Sequence, residues 1–266
     1  MLRLERSYGP DVLVLVLDRP AARNALDGAL VRRLHDALRD AEREPGLRAV
    51  VLRGAGGVFC AGADLGWMRT MAEADEATNR RDATELAALL DALATLPVPT
   101  LAVAESAAYG GGLGLLAACD VALADEDCRF AFSEVRLGLV PAVIAPYVVR
   151  ACGRPRALAP WIYSGAVFDA REAHRVGLVH ALHPRAALDG ALVAFLDALR
   201  AAAPGAVRAA KSLLASCEMH PGGRAAIDHA EATASLIARL RAAPEGREGI
   251  RAFLEKRTPR WPETSP

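Results

Sequence analysis

The chain has 266 residues, 53% of them hydrophobic and 24% charged, a balance that suits one large globular domain or one domain with an appendage. Its 32 basic and 32 acidic side chains cancel, so it carries no electrostatic footprint for nucleic acid or for an anionic membrane surface. Cys60, Cys119, Cys128, Cys152 and Cys217 are scattered, without C-x-x-C spacing, and read as reduced residues rather than a disulfide frame or a zinc site. The opening MLRLERSYGPD is too charged for a signal peptide, and no apolar run reaches transmembrane length. A cytoplasmic protein without a membrane partner is expected.

In chain order, Val12–Leu17 is apolar at every position, the mark of a strand buried on both faces. Arg19-Pro20 ends it. Asp27 is placed to cap a helix whose Leu30, Val31, Leu34 and Leu38 recur at helical spacing until Pro45-Gly46. A second strand starts at Ala49. After the glycine-bearing segment GVFCAGADL, residues 65–77 mix aromatic and polar groups and are expected to be irregular and mobile. A long helix follows over 79–96, carrying Leu86, Leu89, Leu90 and Leu93, and Pro97 and Pro99 end it. Thr100–Ala104 is a third strand; Gly110, Gly111 and Gly112 then lead into a buried helix from Leu113, and a strand over 120–124 follows. Helices are predicted over 143–152 and 158–163. A further one is capped by Asp169 and closed by Gly177, with a strand after it. From residue 186 the chain reads as helical, broken at Pro204, Pro221 and Pro244, with a three-helix end that packs on a neighbour. The strand–helix–strand rhythm argues for an α/β fold with parallel strands.

Two strand–glycine–helix units stand out. Glycines at the mouth of a helix let backbone approach a ligand, and the helix N-terminus offers unpaired N–H groups. They also serve simply to let a helix pack closely on a strand. FCAGADL, AYGGGLGLLAACDVALA and FSEVRLGLVP, in this order, resemble the crotonase superfamily, the enoyl-CoA hydratases and isomerases. The resemblance implies a spiral of repeated ββα units over 1–195 and a C-terminal helical trimerisation region over 196–266. It also implies an acyl-CoA thioester as substrate, with coenzyme A as part of that substrate and no other cofactor. A homotrimer or a dimer of trimers is the implied assembly.

The implied chemistry is stabilisation of a thioester enolate by the backbone N–H groups of Ala63 and Gly111. Glu134 matches the catalytic glutamate; set among apolar residues, its carboxyl should have a raised pKa suited to proton exchange near neutrality. Gly114 occupies the catalytic position at which many hydratases carry a second glutamate. By the same resemblance Arg23 lies beside the CoA entrance, and the loop of Ala61, Gly62, Asp64 and Leu65 offers backbone to adenine. Tyr109 and Gly110 border the substrate, and Phe253 and Lys256 reach the nucleotide across a subunit boundary. The segments DLGWMR and AVIAPYV are most similar to the 3-methylglutaconyl-CoA hydratase branch. That branch implies interconversion of 3-methylglutaconyl-CoA and 3-hydroxy-3-methylglutaryl-CoA. A 3,2-enoyl-CoA isomerase is the alternative, since one glutamate suffices for it. An RNA-binding member of the family is a second alternative, disfavoured by the zero net charge. His35, His174, His180, His183, His220 and His229 show no metal-ligand spacing, and neither a Walker loop nor a G-x-S-x-G elbow is present.

Overall fold

The computed structural model describes residues 1–218 and 226–261. Its strands are β1 (Leu2–Glu5), β2 (Val12–Leu17), β3 (Ala49–Gly54), β4 (Thr100–Ala104), β5 (Ala107–Tyr109), β6 (Val121–Asp125), β7 (Arg129–Ala131), β8 (Val167–Asp169) and β9 (Ala181–His183). The helices are α1 (Gly28–Glu42), α2 (Leu65–Ala72), α3 (Glu76–Thr95), α4 (Gly111–Ala118), α5 (Ala145–Cys152), α6 (Pro155–Ser164), α7 (Ala170–Arg175), α8 (Leu188–Ala201), α9 (Pro204–Glu218), α10 (Ala226–Ala242) and α11 (Pro244–Leu254).

A six-stranded sheet runs in the order β1-β2-β3-β4-β6-β9, parallel throughout except for the β1–β2 pair. A smaller sheet, β5-β7-β8, pairs its first two strands in parallel and its last two antiparallel. The chain alternates between the two: β4 then β5, β6 then β7, β8 then β9. This is the spiral expected from the motifs.

Why β2 is apolar at every position, and β3 and β4 over most of their length, is visible in the packing. Leu13, Leu15, Leu17, Val50 and Leu52 face one core with Leu30, Leu34 and Leu38 of α1 and Leu89, Leu90 and Leu93 of α3. Val12, Val14, Val16, Val51 and Val103 face the other, closed by Leu188, Leu192 and Leu196 of α8. Residue 195, the expected division of the chain, therefore falls inside a helix that belongs to the sheet's second layer. Beyond residue 186 the described residues hold α8 and then three further helices, α9, α10 and α11. Pro204 and Pro244 each open a helix at its first position, where the missing N–H costs nothing. Pro221 and His220 lie outside the described residues. Residues 65–77 are not irregular: Asp64 caps α2 and Asp75 caps α3, so two side-chain acceptors supply order that periodicity does not reveal. Cys60, Cys119, Cys128 and Cys152 are buried as free thiols, whereas Cys217 is exposed. Burial pushes the thiols of Cys60 and Cys128 up to about 12 and that of Cys152 to about 11.

Candidate active site

The first wall of the site is the loop after β3. Leu26 N donates to Gly62 O (2.7 Å) and Asp64 N donates to Leu26 O (2.8 Å), a one-residue parallel bridge between Leu26 and Ala63. In this pattern the bridged residue Ala63 turns its own N–H to the opposite side, away from Leu26. Asp64 fastens the loop at its far end. One carboxylate oxygen accepts from the N–H groups of Gly66 (2.8 Å) and Trp67 (3.0 Å), capping α2, and the other pairs with Arg19 at 2.9 Å. Arg19 also reaches Asp27 (3.1 Å), the N-cap of α1. The Trp67 N–H, with Arg19 beside it, holds the Asp64 carboxyl below the usual carboxylate range. Asn24, fully buried and left-handed at φ +57°, donates to Ala55 O and Val58 O and accepts from Arg19 N, so it ties the same loops from below.

The second wall is the turn between β5 and α4. Cys60 and Ala108 form a second parallel bridge, which draws the two glycine loops together. A Cβ on Gly62 would lie 3.1 Å from Tyr109 O, and one on Gly112 would lie 2.6 Å from Cys60 Cβ and 2.7 Å from Cys60 O. Gly112 thus permits the close packing and Gly110 permits the turn, with φ +47°. Gly111 is the first residue of α4, where an N–H has no acceptor within the helix.

Glu134 completes the site. It follows β7 and opens a single 3-10 turn, Glu134–Leu137, closed by left-handed Gly138. Its Oε1 is 3.3 Å from the place a Cβ on Gly110 would occupy. Its Oε2 is buried with no hydrogen-bond partner, and burial raises its pKa above the ordinary glutamate value. Ala63, Gly111 and Glu134 line one cavity of ≈ 540 Å³, otherwise walled by Leu26, Trp67, Leu86 and the 139–144 segment, with Asp27 and Asp82. Backbone N–H groups at such a cavity, together with a buried, unpartnered carboxylate, are the groups that can stabilise an oxyanion while a proton is moved.

The family described as Enoyl-CoA hydratase/isomerase matches residues 8–264. The structure aligns with that of an enoyl-CoA hydratase from Shewanella pealeana at a TM-score of 0.90, with 39% identity over 98% of this chain and 95% of the other. The chain belongs to the enoyl-CoA hydratase/isomerase family. Among relatives in sequence, the 2,3-dehydroadipyl-CoA hydratase of Escherichia coli is 34% identical over 93% of this chain and 94% of its own. The mitochondrial methylglutaconyl-CoA hydratase of Homo sapiens is 31% identical over 94% of this chain and 73% of its own.

Within this hydratase framework the packing around Gly114 shows what stands near the position of the second glutamate. Gly114 is buried, brings no functional group, and does not line the cavity; a Cβ there would overlap Ile144 Cγ2 and lie 2.9 Å from Ile144 Cβ. The space for a second carboxylate is filled by Ile144, which itself lines the cavity. Asp64 is committed to its cap and to Arg19, which leaves only the loop's backbone and the exposed Leu65 for a ligand. Arg23 is exposed, and its carbonyl accepts from Ala61 N at 3.0 Å, so its backbone is tied to that loop. Phe253 and Lys256 do not line the cavity; Phe253 is exposed at the end of α11, and Lys256 follows it with φ +54°. Sequence reasoning missed Asp82 and the Arg19 clamp, whose partners lie 15 and 45 residues away. No local pattern signals such pairs.

Proposed function

We propose that this enoyl-CoA hydratase relative adds water across α,β-unsaturated acyl-CoA thioesters, reversibly, with Glu134 as the proton-transferring group. The observation that carries this reading is the buried, unpartnered Glu134 Oε2 beside the head of α4. The thioester oxygen would sit between the N–H groups of Ala63 and Gly111. Water attacks the β carbon and gives a proton to Glu134, electrons move onto the thioester oxygen as an enolate, and Glu134 returns a proton to the α carbon. The sum is addition of H and OH on one face. Each N–H donor is worth about 3 kcal/mol of barrier in such a hole.

Arg23 and the 61–65 backbone would receive the nucleotide half of coenzyme A. Phe253 and Lys256 would reach it from a neighbouring subunit. Exposed Leu214, Ile237, Ile250, Phe253 and Leu254 on α9–α11 support a trimer or a dimer of trimers, because a lone chain would leave this apolar surface in water. No single described helix is long and apolar enough to cross a membrane, in keeping with the cytoplasmic location we favour.

The 3-methylglutaconyl thioester expected from the motifs carries a distal carboxylate. Among the described residues lining the cavity there is no Arg or Lys, and Asp27, Asp82 and Glu134 are present. The cavity supports a neutral acyl chain better. Gly114 favours one rival, double-bond isomerisation, which needs a single carboxylate and no water.

Turnover of enoyl-CoA thioesters in oxygen-18 water separates the two. Label on the product hydroxyl is expected; conversion of 3-enoyl to 2-enoyl thioesters without label would establish the isomerase instead. Glu134→Gln should lower either rate by roughly a hundredfold or more. Because burial raises the Glu134 pKa, the ionised base is lost on the acid side sooner than for an ordinary glutamate. The rate should fall as pH drops, while still above the ordinary glutamate value.

A further inference from the structure

Two carboxylates in the cavity are not used by this chemistry, and Asp27 is already engaged as the cap of α1 and by Arg19. Asp82, on α3, lines the wall with Ala83 and Leu86. Its Oδ1 accepts from the indole Nε1 of Trp67 at 3.0 Å. Among the described residues its Oδ2 has no partner. Trp67 is itself fixed from three sides: its backbone N–H bonds to Asp64, its indole N–H bonds to Asp82, and its ring lies over Gly28. A Cβ at Gly28 would stand 2.8 Å from Trp67 Cζ2. The first residue of α1 is therefore a glycine where the ring needs the room. Arg32, also close to Gly28, pairs with Glu85 at 2.9 Å and does not line the cavity. The chamber thus presents a held acceptor with no Arg or Lys among the described residues that line it, and Arg32, near the Trp67 ring, is engaged by Glu85.

We propose that Asp82, oriented by Trp67, is a specificity-determining residue that rejects acyl groups ending in a carboxylate and accepts neutral ones, above all those ending in a hydroxyl that donates to Oδ2. This rests on the hydratase reading. A second carboxylate brought beside Asp82 meets like charge in a largely apolar chamber, and like-charge juxtaposition is a strong discriminator. A hydroxyl can donate to the oxygen that the indole leaves open, in place of solvent, and sites built around such a bond discriminate well.

The test is kcat/KM on matched trans-2-enoyl-CoA thioesters of four to six carbons ending in methyl, hydroxyl or carboxylate. The wild-type protein should take the hydroxyl series at least as well as the methyl series, and the carboxylate series at least about tenfold less well. Asp82→Asn should shrink the carboxylate penalty to within about threefold. Trp67→Phe keeps a ring but removes the N–H that holds Asp82. It should move the carboxylate-to-methyl ratio in the same direction, whereas mere damage to the fold would lower all three series alike. If no thioester is hydrated, the hydratase reading itself falls, and this inference with it. If methyl-ended substrates are hydrated but carboxylate-ended ones are taken equally well, or the penalty survives Asp82→Asn, the assignment of Asp82 alone is overturned.

Discussion

The two glycine units, residues 49–72 and 100–118, bring Ala63 and Gly111, the proposed N–H donors, to the same cavity by different means. In the first, the helix is α2, none of whose residues is buried, and its start is held by the Asp64 carboxylate and Arg19. In the second, the helix is α4. It has no side-chain cap, and every residue after Gly111 is buried. One donor is thus positioned by charge at a half-open rim. The other is positioned by close packing of Gly112 on Cys60 in the core. Similar local chemistry therefore has unequal tolerances: the first should yield gradually to pH and to substitution, the second abruptly to a single added carbon.

The comparison is broken most severely at the packed unit. Gly111→Val places a branched side chain where even a Cβ would be 3.0 Å from Leu26 Cδ1, and it should cut turnover by at least about a hundredfold in steady-state assays. Near-normal turnover in a folded variant would remove Gly111 from the hole. Gly112→Ala, one carbon, forces apart the Cys60 loop and α4. A loss of about 1–3 kcal/mol in urea unfolding is expected, with reduced activity.

At the charge-held unit the effects should be smaller. Asp64→Ala removes a helix cap and should cost about 1 kcal/mol, raising KM more than it lowers kcat if the loop merely loosens. Smaller still is the pH response. The folded pKa of Asp64 is depressed, so its contribution is present above the ordinary aspartate value and is lost as pH falls through the depressed one. The gap in melting temperature between wild type and Asp64→Ala should therefore narrow on acidification below about pH 4. A gap constant down to the lowest accessible pH would show that the cap does not act through charge.

Much of this was legible beforehand for physical reasons. Val12–Leu17 is apolar at every position and Thr100–Ala104 is apolar after its first residue because both sheet faces are covered, and Asp27 announces α1 because an N-cap is a local signal. Strands of three residues, β5, β7, β8 and β9, are too short to show a period. For α2, which residues 65–77 concealed, order comes from Asp64 and from contacts distant in sequence. Glu134, Ala63 and Gly111 were legible only through resemblance. Two of them carry no functional side chain, and the third owes its character to burial rather than to its neighbours in the chain. That Gly114 replaces a second glutamate was legible, but its neighbour Ile144 lies 30 residues on, and only packing shows what fills the space beside it.

The cysteines have a practical consequence. Four are shut inside the core, and for Cys60, Cys128 and Cys152 the thiolate is out of reach at neutral pH, so alkylating reagents have little to attack there. Cys217, exposed near the end of α9, is left as a natural attachment point for a fluorophore. A maleimide dye added to the native protein would mark one position per chain, on the helical region that carries the exposed Leu214, Ile237 and Ile250. The rate of that labelling, followed against protein concentration, would turn a single thiol into a gauge of assembly.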